Sequence, residues 1–90
     1  WAGSGFTRLA MELADLPGHP ARRIASAHKR LLEAHLAEAF AAAGVADAAS
    51  CARQVWILSE SAMALMLIHG DRSYCKAAEK AALCVIAGER

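Results

Sequence analysis

The sequence predicts an all-α fold of four antiparallel-packed helices in one domain. The chain has 90 residues, and 23 Ala and 10 Leu dominate its 57% hydrophobic content. Alanine and leucine favour helices, whereas Val, Ile and Thr, which favour strands, together number only 8. Glycine and proline divide the chain into four segments, each with helical periodicity. These proportions argue against an all-β fold.

The first two helices are predicted from their proline and glycine boundaries. The first begins near Ser4 and ends before Pro17-Gly18, because proline cannot continue a helix. Four residues at helical spacing form its apolar face: Phe6, Leu9, Ala10 and Leu13. The second begins at His19-Pro20 and runs to Gly44, a residue suited to the position just after a helix. Its apolar arc contains Ile24, Leu31, Leu32, Ala39, Ala42 and Ala43, with His28 and His35 in the middle.

The third and fourth helices are predicted to follow aspartate N-caps. The third follows Asp47 and ends at Gly70. It is apolar almost all round, which predicts burial on more than one side. One face contains Ala52, Trp56, Met63 and Leu67, with Glu60 at its edge. The fourth follows Asp71 and runs to about Ala87. Its apolar half contains Tyr74, Ala77, Ala78, Ala81, Ala82, Cys84 and Val85. The short connections Ala46-Asp47 and Gly70-Asp71 predict antiparallel neighbours.

The charge and cysteine content narrow the class of protein. Ten Lys and Arg against nine Asp and Glu give a net charge of +1, too little to attract nucleic acid phosphates. The three cysteines, Cys51, Cys75 and Cys84, show no CxxC spacing, so we expect a reduced cytoplasmic setting with the thiols buried. No signal peptide pattern is present. The longest apolar run, from Val55 to Ile68, is shorter than the roughly 20 residues that cross a bilayer, so no membrane partner is expected.

The apolar content predicts association with another surface. A domain of this size buries only about 60% of its unfolded surface, so some apolar area needs a second chain or domain to cover it. The chain also begins at Trp1 rather than at methionine. We therefore expect either an oligomer or a piece of a larger protein.

Two parts of the chain resemble the regulatory domain of TetR-type transcriptional repressors. The first runs from Gly5-Phe6-Thr7-Arg8 through Glu12-Leu13-Ala14-Asp15-Leu16-Pro17-Gly18-His19-Pro20-Ala21-Arg22. The second is Gly44-Val45-Ala46-Asp47, which leads into an apolar helix ending at His69-Gly70-Asp71. An alanine-rich last helix, here Ser73 to Ala87, is also similar to that family. The resemblance covers nearly all of the chain and depends on pattern and order.

The resemblance implies a ligand-sensing and dimerisation domain over residues 1–90, at the C-terminal end of a bacterial repressor. In that family, DNA is bound only by an N-terminal helix-turn-helix domain, which has no counterpart in this sequence. The C-terminal helices surround a pocket for a small effector, and the last two form a four-helix interface with a second copy. We therefore expect a homodimer that binds a small molecule and needs no cofactor.

Seven residues are candidates for the effector site: Phe6, His28, Leu31, His35, Trp56, Glu60 and Met63. The two histidines could orient the polar end of an effector, or they could be core histidines with hydrogen-bonded rings. Their spacing of seven fixes no third ligand, so no metal site is predicted. Phe6, Trp56 and Met63 could line a pocket or form ordinary core. Glu60 could face a cationic effector, or it could pair with Arg53.

Seven further residues are candidates for the dimer interface: Leu58, Ala62, Leu65, Tyr74, Ala78, Ala81 and Val85. The alternative for them is packing within one subunit. No nucleophile elbow, phosphate-binding loop or HExxH motif occurs, so no enzymatic activity is expected. A different class of function also remains open, namely a small helical adaptor that binds a partner protein through its apolar third helix.

Overall fold

Three helices and no strand make up the part of the chain that the structure describes. This computed structural model describes residues 20–89, without the side chains of residues 21 and 22. The helices are α1 (Pro20–Ala42), α2 (Ala48–His69) and α3 (Ser73–Gly88). The all-α class is therefore confirmed for these residues. The predicted helix from Ser4 to Leu16 lies outside them.

The contacts divide the chain into two units, Trp1–Leu32 and Glu33–Arg90, with the boundary inside α1. The described part of the first unit is the beginning of α1. There Ala25 is only 3% exposed, whereas Ile24 is 59% and Leu31 is 55% exposed. The predicted burial of Ile24 and Leu31 is therefore wrong. The side chain of Ala25 lies about 100° around the helix from Ile24, so the buried position is at the edge of the predicted arc.

The end of α1 follows a Schellman motif. Gly44 has a φ of +86°, which a residue without a Cβ adopts at little cost. Its N–H donates to the carbonyl of Ala41 at 3.1 Å, and the N–H of Val45 donates to that of Phe40 at 3.0 Å. Val45 is buried, as the hydrophobic residue after such a motif commonly is. The predicted role of Gly44 just after the helix is confirmed.

Aspartate and glycine also determine the ends of α2. The carboxylate of Asp47 accepts a hydrogen bond from the N–H of Ser50 at 3.2 Å, which confirms the predicted N-cap. At the other end, Gly70 has a φ of +63° and its N–H donates to the carbonyl of Met66. These interactions satisfy backbone groups that the helix itself leaves without partners.

A carboxylate also precedes α3. Arg72 occupies the residue before Ser73 and already has helical dihedrals, with φ −72° and ψ −12°. The side chain of Asp71 accepts a hydrogen bond from the N–H of Ser73 at 2.8 Å. Asp71 therefore stabilises the first turn as expected, although Arg72 and not Asp71 directly precedes the helix.

Helices α2 and α3 form an antiparallel hairpin, which is the main helix–helix packing among residues 20–89. At the open end, the N–H of Ala46 donates to the carbonyl of Glu89 at 2.8 Å. Near the turn, Cys75 Sγ lies 3.5 Å from Met66 Sδ, and the rings of His69 and Tyr74 stack with centroids 5.6 Å apart. These contacts confirm the predicted antiparallel arrangement of the last two helices.

The core of the second unit consists of small side chains. Its buried hydrophobic residues are Val45, Cys51, Ala52 and Ala62, and Cys51 is the largest fully buried side chain in the described part. The prediction that α2 is buried on more than one side is not met among the described residues, where α3 packs along one side of it. Four large side chains of α2 remain exposed: Ile57, Leu65, Leu67 and Ile68.

Candidate functional site

The candidate pocket residues of α2 lie in one row. Trp56, Glu60 and Met63 are spaced by four and three residues, so they project from one side of the helix. All three are half-buried. Trp56 and Glu60 both have interaction partners in the structure. The row thus combines an indole, a carboxylate and a thioether, a set that could contact an apolar molecule with one polar or cationic group.

Arg53 forms an ion pair with Glu33, whereas the sequence suggested Glu60 as its partner. Its Nε donates to Oε2 of Glu33 at 3.0 Å, and both residues belong to the second unit. The Arg53 side chain is 73% exposed, whereas that of Glu33 is 23% exposed. The contact that the structure gives for Arg53 is therefore with Glu33, and the suggested pair with Glu60 stays a prediction. Because the guanidinium is largely solvated, the pair with Glu33 contributes little stability.

The two candidate histidines lie on the surface of α1. In the first unit, His28 is exposed together with Leu31. In the second unit, His35 is exposed as well. The interpretation of both as core histidines is therefore wrong for this structure, because neither ring is removed from solvent. Phe6, the remaining candidate of the effector site, lies outside the described residues.

The candidate dimer residues on α3 share its half-buried side. Tyr74, Ala78, Ala81 and Val85 recur at helical spacing, and all are half-buried. Tyr74 stacks on His69, and its neighbour Cys75 contacts Met66, so this side of α3 is directed towards α2 of the same chain. On α2, Ala62 is only 7% exposed and Leu58 is half-buried, whereas Leu65 is 37% exposed. Packing within one subunit thus accounts for the burial of most of this set.

The most exposed large side chain of α2 is absent from the candidates chosen from the sequence. Ile68 is 73% exposed and Ile57 is 57% exposed. They are joined along the helix by Ser61 and Ala64, which are exposed as well. The spacing of four, three and four residues places all four on one side of α2. The sequence shows this spacing. It does not show which apolar side of α2 remains exposed to solvent.

The three thiols differ in environment. Cys51 is fully buried, and burial raises the pKa of its thiol; the negative charges of Glu89 and Asp47 raise it further. Cys75 is half-buried against Met66, whereas Cys84 is exposed. The expectation that all three thiols are buried is therefore wrong for Cys84. Because the thiolate is the reactive form, the environment of Cys51 disfavours nucleophilic chemistry there.

The described residues also bear on metals and membranes. Between residues 20 and 89, no three His, Cys, Asp or Glu side chains are grouped so that they could hold a metal ion. Helix α2, with 22 residues, is long and apolar enough to cross a membrane by length and composition alone. Core helices of soluble proteins meet the same criterion, so this property does not assign a location. The apolar run from Val55 to Ile68 is part of this helix.

Comparisons of the chain with profiles of known protein families, with curated proteins and with solved structures give no match. The similarity to TetR-type regulators therefore stays a prediction from the pattern and order of residues.

Proposed function

We propose that this chain is the effector-sensing and homodimerisation domain of a bacterial TetR-type transcriptional repressor. The observation that carries the proposal is the antiparallel hairpin of α2 and α3, which leaves large apolar side chains exposed. The resemblance to TetR-type regulators implies that two such helices form the dimer interface. The proposal includes the helix predicted from Ser4 to Leu16 as a fourth helix of the domain.

The small size of the core supports association with a second copy. The buried residues of the second unit are small, whereas Ile57 and Ile68 on α2 and Leu83 on α3 are each more than half exposed. Each buried methylene contributes roughly 0.8 kcal/mol, so covering such side chains stabilises a complex. Homo-oligomers with two-fold symmetry are the commonest way in which soluble proteins meet this need.

In this proposal, the row Trp56, Glu60 and Met63 contributes to the effector site. The indole and the thioether would contact the apolar body of the molecule, and the carboxylate would favour a cationic or hydrogen-bonding group. Effector binding would favour one arrangement of the two subunits over another, which changes the spacing of the attached DNA-binding domains on their half-sites. The size of this effect equals the difference in effector affinity between the two arrangements.

Sedimentation velocity over a range of concentrations tests the dimer. The proposal expects a dimer of the 9.5 kDa chain. A monomer at every concentration up to high micromolar would contradict it. Thermal unfolding in the presence of a panel of small apolar cations, neutral molecules and anions tests the effector site. Ligands that bind the folded state raise the melting temperature with concentration. Glu60→Gln should reduce the rise for cations more than for neutral molecules.

The adaptor function remains a second candidate, favoured by the exposed apolar side of α2. An adaptor would use Ile57 and Ile68 to contact a foreign protein and would need no effector pocket. The two functions predict different results in the thermal unfolding experiment. A domain that responds to no small molecule but forms a defined complex with one partner protein fits the adaptor.

A further inference from the structure

The turn between α2 and α3 brings two sulfur atoms into contact. Cys75 Sγ lies 3.5 Å from Met66 Sδ, and both side chains are half-buried. Among residues 20–89, the thiol of Cys75 makes no hydrogen bond to any other acceptor. A thioether is only a weak acceptor, so lone pairs on both sulfur atoms remain available to a stronger partner.

His69 lies beside this pair of sulfur atoms. It follows Met66 by three residues, so the two side chains project from the same side of α2. Its ring stacks on that of Tyr74, the residue before Cys75, with centroids 5.6 Å apart. His69 is exposed, so its ring can change rotamer without disturbing the core. The end of α2 and the start of α3 thus bring together a thioether, an imidazole and a thiol.

We infer that Met66, His69 and Cys75 form a site for a soft monovalent metal ion, and that Cu(I) is the ion that fits best. Thiolate and thioether sulfur select soft ions such as Cu(I), and imidazole is a further ligand that suits copper. On binding, Cys75 Sγ releases its proton to solvent and forms a bond with the ion, whose oxidation state does not change. This inference depends neither on the proposed homodimer nor on the proposed effector site.

The distance between the sulfur atoms suits a shared ion. With metal–sulfur bonds of about 2.3 Å, two sulfur atoms on one ion lie about 4.0 Å apart in a trigonal site and about 4.6 Å apart in a linear one. The observed 3.5 Å is closer to the trigonal value. Methionine has three rotatable bonds, so a small rotation of Met66 supplies the remaining ~0.5 Å. A trigonal site also leaves a third position, which His69 would occupy.

The ligand set disfavours the common divalent ions. Between residues 20 and 89, no three His, Cys, Asp or Glu side chains are grouped to hold a metal ion, so Mg²⁺, Ca²⁺ and Zn²⁺ lack their usual ligands there. The charges of Cu(I) and one thiolate cancel, which suits a half-buried position. A divalent ion would leave a net positive charge at the same place, and burying an uncompensated charge is costly.

Competition for Cu(I) tests the site. In a Cys84→Ser background, which removes the exposed thiol, the full chain is titrated without oxygen against a coloured Cu(I) chelator, with ascorbate keeping the copper reduced. The expected result is one Cu(I) per chain and ultraviolet charge-transfer absorption from the thiolate to the ion. Cys75→Ser should weaken binding more than about 100-fold and Met66→Leu about tenfold, because loss of a direct ligand costs at least as much as loss of an outer-shell partner.

Met63→Leu is the matched control for Met66→Leu. Met63 is also a half-buried methionine of α2, but it lies in the row with Trp56 and not beside Cys75. This variant should bind Cu(I) like the background chain. His69→Gln should weaken binding about tenfold, because it removes the third ligand. One equivalent of Cu(I) should also raise the melting temperature of the background chain but not that of Cys75→Ser. Circular dichroism verifies that every variant stays helical.

Three results would overturn the inference. If Cys75→Ser or Met66→Leu binds Cu(I) as tightly as the background chain, the two sulfur atoms do not share the ion. If Met63→Leu and Met66→Leu weaken binding equally, the loss comes from altered packing of α2 and not from a missing ligand. If Zn²⁺ binds as tightly as Cu(I), the site does not select a soft monovalent ion.

Discussion

The backbone N–H of Ala46 donates to the carbonyl of Glu89 at 2.8 Å, so the start of the hairpin is joined to its end. Ala46 lies in the connection before α2, and Glu89 directly follows α3. The bond closes the end of the hairpin opposite to its turn. It also satisfies one donor that precedes a helix and one acceptor at a helix C-terminus, where the helix supplies no partner.

Deleting Glu89 and Arg90 should therefore destabilise the hairpin. The loss removes the acceptor for Ala46, and one such hydrogen bond contributes about 0.5–1.5 kcal/mol to the free energy of unfolding. Urea denaturation measures the change. Deleting Arg90 alone is the control, because the backbone carbonyl oxygen of Glu89 remains and can still accept the hydrogen bond from Ala46. Equal losses from the two deletions would show that the bond contributes nothing.

Replacing Gly70 and Gly88 with alanine should have different effects on the free energy of unfolding. Gly70 has a φ of +63°, where a Cβ is strained, so Gly70→Ala should lower the free energy of unfolding by about 1 kcal/mol. Gly88 has an ordinary φ, and a Cβ added there meets nothing within 4 Å. Gly88→Ala should be neutral or stabilise the helix by up to about 1 kcal/mol. Thermal unfolding of both variants compares them, and equal destabilisation would contradict this difference.

Thiol labelling should separate the cysteines by rate. Cys84 is exposed, whereas Cys51 is fully buried and its pKa is raised, first by burial and then by Glu89 and Asp47. A maleimide or disulfide reagent at neutral pH should label Cys84 within the mixing time and label Cys51 only as the chain unfolds. Mass spectrometry of the labelled peptides identifies the sites, and Cys84→Ser is the control that removes the fast phase. Rapid labelling of Cys51 in the folded chain would refute its burial.

Acid should weaken the start of α3 through Asp71. Hydrogen bonds from the side chain and backbone of Ser73 lower the pKa of Asp71 below its ordinary value. A carboxyl with a lowered folded pKa stabilises the protein fully above its unfolded pKa of about 3.9, and the contribution is lost as the pH falls through the folded pKa.

Asp71→Asn isolates this effect, because asparagine also caps helices but does not titrate. Between pH 7 and pH 3, the unaltered chain should lose more stability than the variant in urea denaturation. All other carboxyl groups titrate in both proteins, so the difference between the two slopes belongs to Asp71. Identical slopes would contradict the assigned pKa direction.

The helix ends could be predicted because they depend on neighbours in the sequence. Gly44 and Gly70 adopt positive φ, and Asp47 caps α2, since each needs only backbone groups within about five residues. Burial could not be predicted in the same way. The helical periodicity of α1 marks Ile24 and Leu31 as an inner side, yet Ala25 is the buried residue.

For the candidate sites, too, the sequence predicted relations within one helix but not contacts between distant residues. The sequence placed Trp56, Glu60 and Met63 on one side of a helix, and the structure places them on one half-buried row. It could not pair Arg53 with Glu33, because the two residues are 20 positions apart and meet only through the fold.

The sequence by itself determined that residues 20–89 form helices, and where those helices begin and end, because propensity and capping act within a few residues. Only the tertiary structure decided which side of each helix is covered. Helix α2 is apolar on several sides, so composition leaves the choice open. The packing of α3 buries Cys51 and Ala62 and leaves Ile57 and Ile68 in solvent, since one neighbouring helix can cover only one side.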